Sequence, residues 1–255
     1  MKYLDIIQMP THHLVRAKRH YFPNLSVIVM LGAFLLNICP VVHSSDQPFQ
    51  KGEIINYNIE KFKVKIGEAT LAFNGLVEVQ GKEALSITFT ARGFKFFDEE
   101  QIYVDAQTFF PLLIKRNLDM FGKEEHITEY YDAQKGKVRI VKRAKGGTTE
   151  QIIENGGRFD NIYGFIYRHR QSGRFEKDKA LDIHLPTNDL RFQFVKRKSI
   201  SIHGQKFDAD YIESAPNQYE LWFDSGPRRI PLKIDGTLGF GNMKMVFKDL
   251  SLKDE

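Results

Sequence analysis

The side chains best suited to chemistry in this chain are carboxylates. Glu99-Glu100, Glu124-Glu125 and the pair Asp208 and Asp210 stand out, and residues two apart share one face of a strand. On such a face Asp208 and Asp210 could hold a cation or divide acid and base roles. A calcium site needs about 6 to 8 oxygens and a glycosidase needs a second carboxylate across a cleft. The sequence identifies neither, so the default reading is a solvated face; the alternative is a carboxylate-dependent hydrolase using Asp208, Asp210 or Asp224. Outside the N-terminal leader the histidines are His126, His169, His184 and His203, none four residues from another. With one cysteine, Cys39, zinc-ligand spacing is absent. No G-x-S-x-G elbow, H-E-x-x-H helix or phosphate loop occurs, and Gly239 and Gly241 begin a dinucleotide pattern without its third glycine. The chain therefore reads as non-enzymatic, with no metal and no cofactor.

Basic residues cluster at Lys142-Arg143-Lys145, at Arg168-His169-Arg170 with Arg174, and at Lys196-Arg197-Lys198. An anionic headgroup or glycan could dock there, but edge-protecting and helix-terminal charges account for them equally. Nucleic acid is excluded as a partner. The sequence pI is 9.1, yet beyond residue 44 basic and acidic side chains nearly balance, so the concentrated basic face that nucleic acid requires is missing.

The leader carries Arg16, Lys18 and Arg19, then an apolar run from Leu25 to Val42, then Val42-His43-Ser44. This is the order of a secretory signal, residues 1 to 44, cut after Ser44, followed by a linker of residues 45 to 51. The protein is expected to be exported, periplasmic in a two-membrane cell, touching the membrane only through the leader. A retained membrane anchor is the alternative, weakened by Asn37 and Pro40. A lipoprotein is a third reading, but Leu36-Asn37-Ile38 lacks the small residues that precede a lipidated cysteine. Residues 52 to 255 are long enough for one domain with a sufficient core and no disulfides.

Within that domain one stretch is helical. Phe159, Ile162, Tyr163, Ile166 and Tyr167 form an i, i+3, i+4, i+7, i+8 stripe, with Asp160 placed to cap the start and Gly173 to end it. Everything else alternates with period two. Ile55, Tyr57 and Ile59 oppose Asn56, Asn58 and Glu60, and Leu85, Ile87, Phe89 and Ala91 oppose Ser86, Thr88, Thr90 and Arg92. Turn signals recur every 8 to 12 residues or so, giving about twelve to fourteen strands. A sheet that large curls as twist accumulates. The expected fold is mainly β: a large antiparallel, barrel-like or spiral sheet with one short amphipathic helix plugging or flanking it.

Four segments resemble the DUF3108 family of exported bacterial proteins. Tyr57-Asn58-Ile59 with Gly67-Glu68-Ala69 resembles its opening hairpin, and Asp105 with Pro111 its D-x-x-t-x-x-P turn. Trp222-Phe223-Asp224 with Arg228-Arg229-Ile230-Pro231-Leu232 matches its tryptophan strand, turn and R-x-P strand, and Leu238-Gly239-Phe240-Gly241 its closing strand. The family's acidic turn positions are Ser225 and Gly226 here, and its helical Ser, Tyr, Arg triplet falls on Tyr163, Ile166 and His169. The resemblance implies an envelope protein with a β-rich fold and no assigned activity. Tyr57, Gly67, Asp105, Pro111, Asp160, Trp222, Asp224, Arg229 and Pro231 are expected to be structural, Trp222 as a core anchor.

The expected function is binding inside a curved β structure lined by aromatics, with a lipid, an acyl chain or a peptide as ligand. Phe192 and Phe194 would line the interior, and Tyr167, Arg168 and Arg170 would stand at its mouth. The alternative is a structural or scaffolding partner of an envelope complex.

Overall fold

The structure, a computed structural model, describes residues 48–173, 175–177, 179–237 and 242–253. The expectations for residues 1 to 44, for the start of the linker, for Arg174 and for Leu238-Gly239-Phe240-Gly241 lie outside the described residues.

Two-residue turns join most of the strands. In chain order these are β1 (Glu53–Lys61), β2 (Val64–Val79), β3 (Lys82–Gly93), β4 (Phe96–Asp105), β5 (Pro111–Met120), β6 (Lys123–Asp132), β7 (Lys137–Ala144) and β8 (Gly147–Glu154). The helix α1 (Ile162–Ser172) follows, then β9 (Leu181–Leu185), β10 (Asn188–Ile202), β11 (Gln205–Ala215), β12 (Tyr219–Asp224), β13 (Pro231–Thr237) and β14 (Asn242–Leu252). Each strand pairs antiparallel with its sequence neighbour, except that β8 and β9 do not pair and β1 pairs with β14. The result is one 14-stranded sheet whose two ends of chain meet in the middle and whose free edges are β8 and β9. The sheet is barrel-like but not closed, and α1 is inserted in sequence between the two edges.

Alternation decides the inside. Ile55, Tyr57 and Ile59 on β1 and Ile87, Phe89 and Ala91 on β3 are buried, while their sequence neighbours face outward. α1 then ties the two arms of the sheet together through aromatic pairs. Tyr163 stacks on Phe89 of β3, with centroids 4.5 Å apart, and Tyr167 meets Phe73 of β2 at 5.4 Å. Phe165 stacks on Phe192 of β10 at 5.0 Å, and His169 meets Phe223 of β12 at 4.6 Å. An 11-residue helix is marginal in isolation. Burying Phe165, Ile166 and Tyr167 contributes about 1.5–3 kcal/mol each and holds it. Gly164 permits the close approach, because a Cβ there would lie 2.9 Å from the Phe109 carbonyl oxygen and 3.2 Å from Val104 Cγ1.

Two expectations need correction. The helix cap is Asn161, whose side-chain oxygen accepts from Tyr163 N (2.9 Å) and Gly164 N (3.1 Å). Asp160, one residue earlier, is out of reach of those donors; its carboxylate accepts from Arg168 Nη2 (2.7 Å) and His184 N (3.1 Å) instead. Trp222 is not an anchor of the main core. Leu221 and Phe223 take the inner face of β12, so strand parity turns Trp222 outward, where it stacks on Tyr211 at 4.4 Å. There it joins a smaller apolar cluster around Ile202, Ala209, Leu232 and Val246.

Candidate functional site

The inner face of β4 carries Asp98, Glu100, Ile102 and Val104, so two carboxylates share the parity of two fully buried aliphatics. The register sets Glu100 opposite Arg116 of β5, and Ile114 opposite Glu129 of β6. Arg116 donates from Nε and Nη2 to the two Asp98 oxygens at 2.8 and 2.6 Å, and its Nε lies 3.3 Å from Glu100 Oε1. The Tyr131 hydroxyl donates to Glu129. Asp160, Asn161 and Tyr163 from the start of α1, the β9–β10 turn and Tyr219 of β12 complete a cavity of about 190 Å³ over this ladder.

Three carboxylates thus face one guanidinium in a poorly solvated space. Burial raises the Glu100 pKa to about 7; Arg116 pulls it down, but the charges of Asp98 and Glu129 add to the rise. Burial also raises Glu129, against the hydrogen bond from Tyr131 and the charge of Arg116. Burial works against the charge on Arg116, yet the Asp98 hydrogen bond and the charges of Glu100 and Asp98 prevail and raise its pKa. Burial pushes Tyr131 and Tyr163 well above the ordinary tyrosine value, with neighbouring acids reinforcing the shift. The cavity therefore combines one carboxyl, Glu100, raised to about 7, with neutral tyrosine hydroxyls and an excess of acid over base. It suits a cation or a hydroxyl-rich molecule. Among the described residues no three His, Cys, Asp or Glu side chains are arranged to hold a metal ion.

The residues singled out for ligand binding sit elsewhere. Phe192 is 0% exposed and packed face to face with Phe165, and Phe194 is partly buried against the same core. Tyr167 is fully buried between Phe49 and Phe73. Arg168 bridges to Asp160, with its guanidinium 4.6 Å from the Phe110 ring centroid. Arg170 is 0% exposed rather than at a mouth. It bonds Glu53 Oε1 at 2.6 Å, the Pro48 carbonyl at 2.8 Å and the Arg228 carbonyl at 3.1 Å. The interior of the described domain is filled by α1 side chains.

Three of the structural motif residues, Arg229, Tyr57 and Pro231, lie at that same end of α1. Arg229 Nε donates to the Arg170 carbonyl at 2.6 Å, and the Tyr57 hydroxyl donates to the Pro231 carbonyl at 2.9 Å, across the intervening β14. Gly67 is required by a close approach, since a Cβ would lie 2.3 Å from the Arg92 carbonyl oxygen. Asp105 closes the turn before Pro111 by accepting from Gln107 N, Thr108 N and Thr108 Oγ1. Asp224 lies across from Ala209, near Asp208 and Asp210, and burial raises its pKa. Asp210 is engaged by Arg197 Nε and Nη2 at 2.6 and 2.9 Å and Asp208 is exposed, so Asp210 is an ion-paired residue rather than half of a carboxylate site. His169, packed against Phe175 and Phe223, is held neutral: burial and the Arg229 charge lower its pKa to about 3.

Glu100 entered the sequence reading only as half of the pair Glu99-Glu100, and Asp98, Arg116 and Glu129 were missed. The available signal was parity, because acids spaced i, i+2 in phase with Ile102 and Val104 must point into the core.

Comparison with known proteins supplies no activity. No curated protein matches the sequence. The chain is similar to a beta-barrel-like protein of the domain of unknown function DUF1849 from Brucella abortus, at 11% identity over 79% of this chain and 98% of that one, with a TM-score of 0.47. It is also similar to a chain described as a candidate lipoprotein from Parabacteroides distasonis, at 10% identity over 81% and 98%, with a TM-score of 0.31. The model of the protein family of unknown function DUF3108 matches residues 54–248, and this chain belongs to that family.

Proposed function

We propose that the protein is an exported, non-enzymatic binding protein of the cell envelope whose ligand is a small cationic molecule, such as a primary amine, held in the cavity between β4, β5, β6 and α1. The observation that carries the reading is Glu100, a carboxyl held up to about 7 beside Asp98 and Glu129 with only Arg116 in balance. An entering cation replaces the proton and relieves the repulsion among the three acids. The filled interior favours this small polar ligand over an acyl chain, and the roughly 190 Å³ of the cavity suits a molecule of about monosaccharide size. Export rests on the basic leader and its apolar run.

Titration calorimetry of residues 45–255 with ethanolamine, putrescine and glucosamine tests the reading. Affinity is expected to strengthen as pH rises through about 7, where Glu100 gives up its proton. Glu100→Gln should weaken binding on the order of tenfold, the loss of one charge-assisted bond. No heat with any of the three amines, or affinity independent of pH and of Glu100, would sink it. The second reading, a hydrolase with Glu100 as proton donor, draws on the same pKa, which lies in the range of a general acid. It requires turnover of a glycan or peptide that Glu100→Gln abolishes.

A further inference from the structure

Three hairpin turns at one end of the sheet each present an exposed phenylalanine. Phe62 between β1 and β2 is 91% exposed, Phe94 between β3 and β4 is 79% exposed, and Phe121 between β5 and β6 is 68% exposed. Register sets the second and third tips level, because Phe96 pairs with both Gly93 and Met120, while the first tip, where Lys61 pairs with Val64, projects three residues beyond Gly67, the partner of Gly93. The Phe121 N–H also donates to the Lys95 carbonyl at 2.8 Å, joining two of the tips directly. Strands lie about 4.8 Å apart, so successive tips are offset sideways by about 10 Å, and the three-residue stagger carries the Phe62 tip about 10 Å further out along its strands.

The backbone at the first and third tips is unfavourable for the phenylalanines that occupy it. Phe62 and Lys63 have φ of 53° and 65°, and Phe121 and Gly122 have φ of 56° and 80°. Two-residue turns with both central φ positive prefer Asn-Gly, and a bulky residue there is uncommon because its Cβ crowds the chain. Folding alone would favour Asn at positions 62 and 121. A solvated aromatic at all three tips, strained at the first and third, points to a use outside the fold.

The surrounding charge indicates the occupant. The exposed charged residues within two positions of the tip phenylalanines are Lys61, Lys63, Arg92, Lys95 and Lys123, and Glu124 follows Lys123. Lys61 Nζ lies 6.0 Å from the Phe62 ring centroid and Lys95 Nζ 5.4 Å from that of Phe94, so these two rings each carry a cation. Of the other acids nearby, Glu68 pairs with Lys65 at 2.6 Å, Asp119 accepts from the Gly122 N–H at 2.8 Å, and the half-buried Glu60 lies beside Lys61 at the base of the first tip, which leaves the lysines in excess. Aromatic rings that enter the acyl boundary, flanked by ammonium groups at headgroup level, match an anionic bilayer surface. We infer that this rim docks the domain peripherally on an anionic membrane, with Phe62, Phe94 and Phe121 inserted and the four lysines on lipid phosphates. The inference is independent of the cavity ligand, which lies inside the sheet.

Residues 45–255 form a compact unit containing the whole core, so they are the form to test, free of the apolar leader. Flotation with vesicles of phosphatidylethanolamine and phosphatidylglycerol should carry the protein. Vesicles of phosphatidylcholine should carry far less, and salt should release it. Each Phe→Ser change should weaken partitioning on the order of tenfold, and each Lys→Gln about fivefold. Phe62→Asn and Phe121→Asn separate docking from folding: both should raise the thermal midpoint while reducing vesicle binding. The inference is overturned if the unaltered protein does not float, if it floats equally with neutral vesicles, or if the two Asn variants bind as well as the parent. A rim that serves a protein partner would give the first of these results.

Discussion

Replacing Glu100 by Gln should stabilise the fold at neutral and alkaline pH while removing the group on which ligand binding depends. Glu100 has an ordinary value of 4.5 when unfolded and about 7 when folded, so between those values the native state holds a proton that the unfolded chain has released. Stability therefore falls as pH rises through that window, because the native state must give up a proton it binds more tightly. Above the window the full difference is lost, about 3 kcal/mol at about 1.4 kcal/mol per pKa unit. Gln keeps the shape and stays neutral. The variant and the parent should then match near about pH 4, and the variant should lead by about 3 kcal/mol near about pH 8. Urea unfolding of residues 45–255, followed by the fluorescence of Trp222 stacked on Tyr211, reads the difference directly. Parallel stability curves, or a variant weaker at about pH 8, would refute the buried, proton-holding role of Glu100. A stabilised variant that no longer binds amines would show strain retained for function.

Other outcomes follow from the same geometry. Arg170→Met strands Glu53 in the core and should cost about 3–5 kcal/mol, most of it recovered when Glu53→Gln is added; a double variant as unstable as the single would count against the pair. Gly164→Ala drives a Cβ against the Phe109 carbonyl and Val104, and should cost about 1–3 kcal/mol by thermal unfolding. His169, lowered to about 3, should show no imidazole titration by NMR between about pH 5 and 8. Because its folded pKa is depressed, its contribution is present above the unfolded value of 6.5 and is lost as pH falls toward about 3.

Local pattern was enough for the class of the fold. Period two in Ile55, Tyr57 and Ile59 and in Ile87, Phe89 and Ala91 dictates half-buried antiparallel strands, because successive side chains must take opposite faces. The stripe from Ile162 to Tyr167 dictates a helix on a core, and the count of turn signals dictates a sheet large enough to curl. The family resemblance was legible for a related reason: Asp105 closes its own turn and Gly67 admits the carbonyl of the adjacent strand, demands of backbone geometry that leave a trace in residue type.

What residue type could not convey was which strands meet and which face wins. The acid ladder exists because β4, β5 and β6 align Asp98 and Glu100 with Arg116 and Glu129, a matter of register that no single strand encodes. Arg170 looks like a helix-end surface charge until folding brings Glu53 and the Pro48 and Arg228 carbonyls around it, from residues as far as 122 positions away. Trp222 reads as a core residue by size, but Leu221 and Phe223 claim the inner face of its strand. The three exposed phenylalanines are ordinary hydrophobes in the sequence; strand order and the positive φ of their turns make them a rim. Short-range sterics and periodicity therefore determined the elements of this protein, and long-range pairing decided where its charges and exposed aromatics meet.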